Sequence, residues 1–278
     1  MRTRVSYATF LAAGPGRGFS DGPTKSLYGI LLGVSLFFFP FSLLFVGGGL
    51  LPAQFSPMAS FIIVLNALIT LLSESRSMSL AKATGIFLGM ACILFFVEYA
   101  GITTGTPFGW YAYSDVLGFR VAGVPIAISF AWYATVVTTW RIARFCADRS
   151  PSALLVPLTA GLLTVAIDVA LEPMASGITA YWQWRTATIP LQNYAAWFAF
   201  TFLAALLLQR VRPEPREQTK GHAINAFVLA GMQWVLFMST DILHGCYAEA
   251  LFSAGILGFL VALLWLSKRE PTPSKETV

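Results

Sequence analysis

Long apolar stretches recur along almost the whole chain, and they constrain its fold more than any other feature of the sequence. Most are roughly 18 to 25 residues long, enough to cross a hydrocarbon layer about 30 Å thick as an α-helix. Only 11% of the residues are charged and 56% are hydrophobic, whereas a soluble domain carries about 25% charged residues. The sequence therefore predicts an all-α fold, a polytopic transmembrane helical bundle whose first partner is the lipid bilayer.

The distribution of Lys and Arg predicts the topology of this bundle. We expect about eight spans, near residues 27–47, 56–73, 82–102, 124–145, 152–172, 190–210, 222–241 and 246–267. Of the 18 Lys and Arg residues, all except Arg120 and Arg185 then fall on one side of the membrane. The positive-inside bias makes that side cytoplasmic, with both termini on it. Arg141 and Arg144 are expected to anchor the cytoplasmic end of the fourth span.

A single transmembrane domain is predicted over residues 27–267. Residues 1–26 carry several basic residues and are expected to form a cytoplasmic tail. Residues 268–278 are polar and contain Pro271 and Pro273, so we expect a disordered C-terminal tail. The net charge of +5 follows from topology and does not indicate a nucleic-acid partner.

Two stretches of the chain share one plan, which indicates a weak parallel internal repeat. Residues 98–132 and 168–197 each begin with an acid near the end of an apolar run, pass through an aromatic loop and return to apolar sequence. In both, a Val-Pro or Ile-Pro pair precedes an Ala-Trp pair by five residues, ending at Trp132 and Trp197. We interpret predicted helices 3–4 and 5–6 as two halves of one site.

The acidic residues of this site are predicted to gather near the outer leaflet. The third and fifth spans run outward and carry Glu98, Asp168 and Glu172 in their final turns. Asp168 and Glu172 are four residues apart and therefore share one helix face. An ionised carboxylate that faces lipid is costly, so these groups should face the bundle interior. Asp241 and Glu249 lie near the same surface, and their membership of the site is left open.

The loops between the acids are strongly aromatic, which suggests chemistry through a carbocation. Aromatic faces stabilise cations, and a carboxylic acid in a dry pocket can donate a proton. Together they suit the protonation of an alkene followed by capture of the cation. The aromatic residues concerned are Trp110, Tyr111, Tyr113, Trp182, Trp184, Trp132 and Trp197.

Several other functional classes do not fit the sequence. Membrane di-iron enzymes need clusters of histidines, and this chain has only His222 and His244. Retinal proteins need a lysine in the middle of a span, and every lysine lies outside the apolar runs or at their ends. The three cysteines match no metal or redox spacing. We therefore expect no metal and no cofactor.

Five blocks of residues, in order, resemble the membrane carotenoid hydratases. They are Glu98–Gly101, Thr104–Tyr113 with Val124-Pro125, Glu172-Pro173, Tyr181–Trp184 and Ile189–Trp197. The resemblance covers about residues 82–210; the flanking helices resemble the family mainly in hydropathy. It implies an integral, multi-pass protein of a bacterial or archaeal cell membrane. It also implies a hydro-lyase that adds water to the terminal isopropylidene double bond of an acyclic carotenoid end, giving a tertiary alcohol.

The mechanistic hypothesis assigns roles to these residues. Glu98 or Asp168 is expected to protonate the alkene, and Glu172 to hold and deprotonate the attacking water. Asn193 orients that water. The substrate-binding residues are expected to be Trp110, Tyr111, Tyr113, Trp182, Trp184, Asn193 and Trp197.

Other interpretations of the same residues remain open. Each of the three acids could instead be structural, and Trp132 and Trp197 could simply pack. A proton-coupled transporter also has acid-bearing helices in a repeat. A terminal carotenoid cyclase would form the same cation and quench it with the polyene. The carotenoid substrate is the principal expected partner, with other enzymes of the same pathway as candidates.

Overall fold

The computed structural model describes residues 23–50, 57–147, 153–211 and 216–269. The predicted tails lie almost entirely outside these residues, although helices extend to Pro23 and to Arg269. The helices are α1 (Pro23–Ser42), α2 (Pro57–Glu74), α3 (Leu80–Thr104), α4 (Ile126–Cys146), α5 (Leu155–Glu172), α6 (Leu191–Val211), α7 (Arg216–Leu243) and α8 (Tyr247–Arg269). Two short π-helices continue α1 and α5, namely π1 (Leu43–Gly47) and π2 (Pro173–Ile178).

The fold is the predicted all-α polytopic bundle. Seven helical segments of the described chain are long and apolar enough to cross a membrane. Helix α4, predicted as a further span, is the exception. It packs against α2, α3, α5, α6 and α7, and most of its residues are buried. Because its side chains face protein and not lipid, α4 can carry the Thr and Tyr residues that lower its hydropathy.

A buried ion pair fixes one end of α4. The Arg141 guanidinium donates to both carboxylate oxygens of Glu74 on α2, at 2.7 and 2.6 Å. The Arg141 side chain is only 1% exposed, and it also lies 4.6 Å from the Trp140 ring centre. The expectation that Arg141 anchors the bundle at the membrane surface is therefore wrong. It cross-links two helices inside the protein.

Short strands at the opposite end of the bundle join the two predicted repeat units. The strands are β1 (Tyr111–Tyr113), β2 (Arg120–Val121), β3 (Val124–Pro125) and β4 (Trp182–Trp184). β1 comes from the first aromatic loop and β4 from the second, and they pair antiparallel. β2 and β3 form a second antiparallel pair that leads directly into α4. The β1–β4 pair, called the lid below, therefore ties the two loops together.

The end of α3 places its acid beneath the lid. The helix stops at Gly105, whose φ of +73° is a left-handed conformation that glycine adopts without strain. The Gly105 N–H donates to the Gly101 carbonyl and closes the last turn. Glu98 thus lies in the penultimate turn of α3, directly before the chain turns back as β1.

Candidate active site

A cavity of about 170 Å³ lies under the lid. Its walls come from both repeat units and from α1, α2 and α7. No Lys or Arg lines it among the described residues. Its lining includes eight of the ten predicted site residues, namely Glu98, Tyr111, Tyr113, Glu172, Trp182, Trp184, Asn193 and Trp197.

Glu98 is held in the cavity wall by three hydrogen-bond donors. The Trp132 indole N–H donates to Oε1 at 2.6 Å. The hydroxyl groups of Tyr111 and Tyr113 both donate to Oε2, the latter at 2.7 Å. Glu98 itself is only 4% exposed. Both carboxyl oxygens therefore accept hydrogen bonds, which is the arrangement that stabilises an ionised carboxylate.

The two tyrosines remain donors over the physiological pH range. Burial, reinforced by the neighbouring Glu98 carboxylate, raises the pKa of the Tyr111 phenol far above its ordinary value. The same causes, in the same order, raise the pKa of Tyr113. Both phenols therefore keep their protons and their hydrogen bonds to Glu98.

Glu172 is held differently, by one donor from the lid. The Trp184 indole donates to Glu172 Oε2 at 3.1 Å. Trp184 lies directly opposite Tyr111 in the β1–β4 register, and the two ring centres are 5.2 Å apart. One cross-strand pair of the lid thus holds Glu98 with one member and Glu172 with the other.

Asp168 lies behind the cavity wall. It is fully buried, and its Oδ2 accepts from the Asn193 side-chain amide at 2.6 Å. Its other oxygen has no hydrogen-bond partner. Asn193 lines the cavity, whereas Asp168 does not. The structure therefore brings Asp168 to the site only through Asn193.

Trp110 is the predicted site residue that lies apart from the others. Its indole is 42% exposed and stacks under the Arg185 guanidinium, 4.6 Å from the ring centre. It does not line the cavity. The tight turn at Gly105 brings the chain against this ring, where a Cβ at Gly105 would be 2.8 Å from it. Trp110 therefore covers the lid from outside.

One indole in the wall has an unused donor. The Trp182 ring lines the cavity, and its buried Nε1–H forms no hydrogen bond of normal geometry, although the Glu172 carboxyl group is within its reach. Buried polar groups in proteins are almost always paired with protein or water. An oxygen-bearing ligand in the cavity would provide a hydrogen-bond acceptor for this indole N–H.

Several cavity residues were missed at the sequence level. α2 and α7 contribute Asn66 and Gln233 to the wall, and the Ser35 hydroxyl donates to Asn66 Oδ1 at 3.0 Å. An amide side chain in the middle of an apolar span is a signal that could have found them, because such residues usually face the bundle interior. Thr135 on α4 also lines the cavity and was likewise missed at the sequence level.

Asp241 on α7 is a further buried acid outside the cavity wall. It is fully buried, and neither carboxyl oxygen has a hydrogen-bond partner. The nearby His244 ring bonds instead to the Thr240 carbonyl, at 2.9 Å. Asp241 follows the cavity residue Phe237 by one helical turn.

Comparison with known families identifies the chain. A family model described as carotenoid biosynthesis protein matches residues 58–262. The chain belongs to this family. The matched region includes α2 to α7 and most of α8, and so contains the lid and the entire cavity except the contributions of α1 and π1.

A curated relative is similar over part of the chain. It is a bisanhydrobacterioruberin hydratase from Haloarcula japonica, 29% identical over 115 residues. The alignment covers 40% of this chain and 39% of the relative. No solved structure matches the chain.

Proposed function

We propose that this protein is a carotenoid hydratase, a hydro-lyase acting on the terminal isopropylidene double bond of an acyclic carotenoid end. Such ends occur in γ-carotene, lycopene and C50 precursors, and the product is a tertiary alcohol. One observation carries the proposal: Glu98 and Glu172 line the same cavity, whose other walls are largely aromatic and aliphatic. The family and the partial similarity to a hydratase support the substrate class.

The size of the cavity fits the end of a carotenoid and not the whole molecule. Its volume of about 170 Å³ is close to that of a cavity of about 150 Å³ that holds one benzene molecule. A C40 polyene is several times larger. The reacting end would therefore enter the protein while the rest of the chain stays between helices or in lipid.

The hydrogen bonds suggest which acid donates the proton. Glu98 accepts from three donors, and these hydrogen bonds favour its ionised form over its protonated form as the resting state. Glu172 has one indole donor, on Oε2. We therefore assign proton donation to Glu172 and the carboxylate role to Glu98, the reverse of the sequence-based preference. Asp168 acts as a positioning residue by fixing Asn193.

The reaction then balances without a redox step. The Glu172 carboxyl proton forms the new C–H bond at the less substituted alkene carbon, leaving a tertiary cation. The oxygen of a water molecule then forms the C–O bond at the other alkene carbon, which carries the positive charge, and the surplus water proton passes to Glu98. Return of this proton to Glu172 restores the site, so alkene and water give alcohol. The faces of Trp132 and Trp184 stabilise the cation.

Two polar groups of the cavity wall can bind water, which supports hydration over cyclisation. The Trp182 indole N–H forms no hydrogen bond of normal geometry, and Asn193 also lines the cavity. Both can bind a water oxygen, which a cyclase would have to exclude. A proton-coupled carrier is less well supported, since its acids would be expected near the membrane midplane and not under a lid at one end.

The test is expression in a bacterium that makes lycopene or γ-carotene, followed by mass analysis of the extracted pigment. The wild type is expected to add one molecule of water to each acyclic end that it accepts. Glu172→Gln and Glu98→Gln should leave the pigment unhydrated. Asp115→Asn is the control, because that side chain is 89% exposed. Unchanged pigment mass with the wild type would refute the proposal; a changed spectrum at unchanged mass would indicate a cyclase.

A further inference from the structure

Asp241 on α7 is a buried acid that the proposed reaction does not use. Its side chain is fully buried, and neither carboxyl oxygen has a hydrogen-bond partner among the described residues. The other buried acids of the described chain each accept at least one hydrogen bond; they are Glu74, Glu98, Asp168 and Glu172. Buried polar groups are almost always paired with protein or with water, whether or not they carry a proton. Asp241 therefore needs a partner that the neighbouring side chains do not provide.

Asp241 lies between the cavity and the exposed end of α7. Phe237, one helical turn earlier on the same face, lines the cavity. In the other direction α7 ends at Leu243, and His244 in the following turn is exposed. A molecule bound at Asp241 would thus lie between the end of the bundle and the cavity.

Both π-helices pack against α7 on this approach. A Cβ at Gly47 of π1 would lie 3.2 Å from the Thr240 hydroxyl, directly before Asp241 in the chain. π2 begins immediately after the cavity residue Glu172 and also packs against α7. The outer end of α7 is therefore enclosed by segments that themselves lead to the cavity.

Helix α8 places a second acid beside Asp241. The chain doubles back after α7, where the Cys246 N–H donates to the Asp241 carbonyl at 2.8 Å, and α8 then packs against α7. Glu249 in the first turn of α8 is half-buried and lies within electrostatic range of Asp241. Its carboxyl group can share a bound water molecule with Asp241, because a buried water molecule forms about three hydrogen bonds.

Ser253 continues the series of polar groups along α8, one helical turn beyond Glu249. It is fully buried, and its hydroxyl has no hydrogen-bond partner among the described residues. The neighbouring Phe252 lies 6.4 Å from Trp234, centre to centre. This contact puts Ser253 at about the same level of the bundle as the cavity residue Phe237. Unpartnered polar groups thus occur on both helices, at successive levels from the exposed turn to the cavity.

We infer that Asp241 binds water between α7, α8 and the π-helices, and that this site admits the water consumed in the reaction from the lid end of the bundle. Glu249 marks its outer side and Phe237 its boundary with the cavity. Asp241 acts as a positioning residue, because it holds the water without touching the alkene. The inference rests on the proposed function for the use of that water, but the site itself can be tested without carotenoid.

The first test detects the water directly. X-ray pulses convert water, including water held inside a protein, into hydroxyl radicals that oxidise the nearest side chains, and mass spectrometry locates the oxidised residues. Protein is purified in detergent from a host without carotenoids. Phe237 should be oxidised at least tenfold more than Phe227, which lies on the same helix and is equally buried, with 5% against 4% exposure. Similar oxidation of the two would overturn the inference.

Variants of Asp241 separate its water from water in the cavity. Asp241→Leu removes the carboxyl group and should lower the oxidation of Phe237 at least threefold. Asp241→Asn still accepts a hydrogen bond and should stay within about twofold of the wild type. If Asp241→Leu does not purify as a folded protein, Asp241→Met replaces it. Unchanged oxidation of Phe237 in the apolar variant would show that only cavity water reaches this ring, and would overturn the inference.

Hydration of pigment in cells, normalised to protein level, tests the use of this water. Asp241→Leu should hydrate at least tenfold more slowly than the wild type, whereas Asp241→Asn should keep at least a third of the wild-type rate. An asparagine variant as slow as the leucine variant, with its oxidation pattern intact, would assign a proton and not water to Asp241 and overturn the inference. Full hydration by the leucine variant would overturn it as well. A wild type that shows Asp241-dependent oxidation of Phe237 but never hydrates carotenoid would refute the hydratase and leave the water site standing.

Discussion

The indole rings of Trp132 and Trp197 stack on each other, with ring centres 4.0 Å apart and planes 26° from parallel. The two residues occupy corresponding positions in the two repeat units, on α4 and α6. Their environments differ, because the Trp132 N–H donates to Glu98 at 2.6 Å. The stack therefore joins the two halves of the site, and one member of it also orients an acid.

Removing this hydrogen bond should lower hydration activity more than replacing one indole of the stack by a smaller ring. Trp132→Phe keeps an aromatic ring but leaves Glu98 with two donors, both tyrosines. A hydrogen bond to a charged group contributes about 1.5–3 kcal/mol, which corresponds to about ten- to a hundredfold in rate. Trp197→Phe replaces the other indole of the stack by a smaller ring and removes no donor from Glu98. Pigment hydration in cells, normalised to protein level, compares the two; equal losses would show that stacking alone matters.

The close contact between Gly101 and the lid predicts a second effect on Glu98. A Cβ at Gly101 would lie 2.8 Å from the Tyr111 hydroxyl and 2.9 Å from the Phe108 ring. Gly101→Ala should therefore push Tyr111 away from Glu98 and lower hydration at least tenfold.

Gly89 provides a matched control on the same helix. A Cβ there would meet nothing within 4 Å. Gly89→Ala should leave activity unchanged and stabilise α3 by up to about 1 kcal/mol through helix propensity. Thermal unfolding in detergent and pigment analysis measure both effects. If Gly101→Ala were fully active, Tyr111 would have no part in positioning Glu98.

The meeting of the two repeat units could be predicted from the sequence, but its details could not. The repeated Pro and Trp positions indicated two halves of one site, and the structure brings Trp132 and Trp197 into contact. The pairing of β1 with β4 was not predicted, because strands of three residues carry no periodic signal. The exterior position of Trp110 likewise depends on one tight turn and on Arg185 stacking over its ring.

The role of Arg141 shows why charge counting along a sequence has a limit. A basic residue near the end of a span has the same position in the sequence whether it faces lipid headgroups or a partner helix. Its partner Glu74 is 67 positions away in the chain, and no local pattern connects them. No local pattern separates the apolar cavity residues of α1, α2 and α7 from residues that face lipid. These walls of the cavity were therefore not predicted.

Breaking the Glu74–Arg141 pair should destabilise the bundle strongly. Glu74→Gln leaves the Arg141 guanidinium buried without its counter-charge, and losses of about 3–5 kcal/mol are typical of such changes. Asp115→Asn breaks the ion pair with Arg120, whose side chains are 89% and 35% exposed, and should change stability little. Thermal unfolding of the two variants in one detergent makes the comparison. Equal unfolding temperatures would contradict a structural role for the buried pair.

Two buried acids should respond in opposite ways to replacement by leucine. Asp168 accepts from Asn193, so Asp168→Leu leaves a buried amide without its acceptor at a cost of about 1–3 kcal/mol. Asp241 has no hydrogen-bond partner on either oxygen, so Asp241→Leu removes only an unsatisfied group from the interior. The unfolding temperature of Asp241→Leu should equal or exceed that of the wild type. A destabilised Asp241→Leu would show that this carboxyl group has a stabilising partner, whereas unchanged stability with lost hydration would assign Asp241 to the reaction.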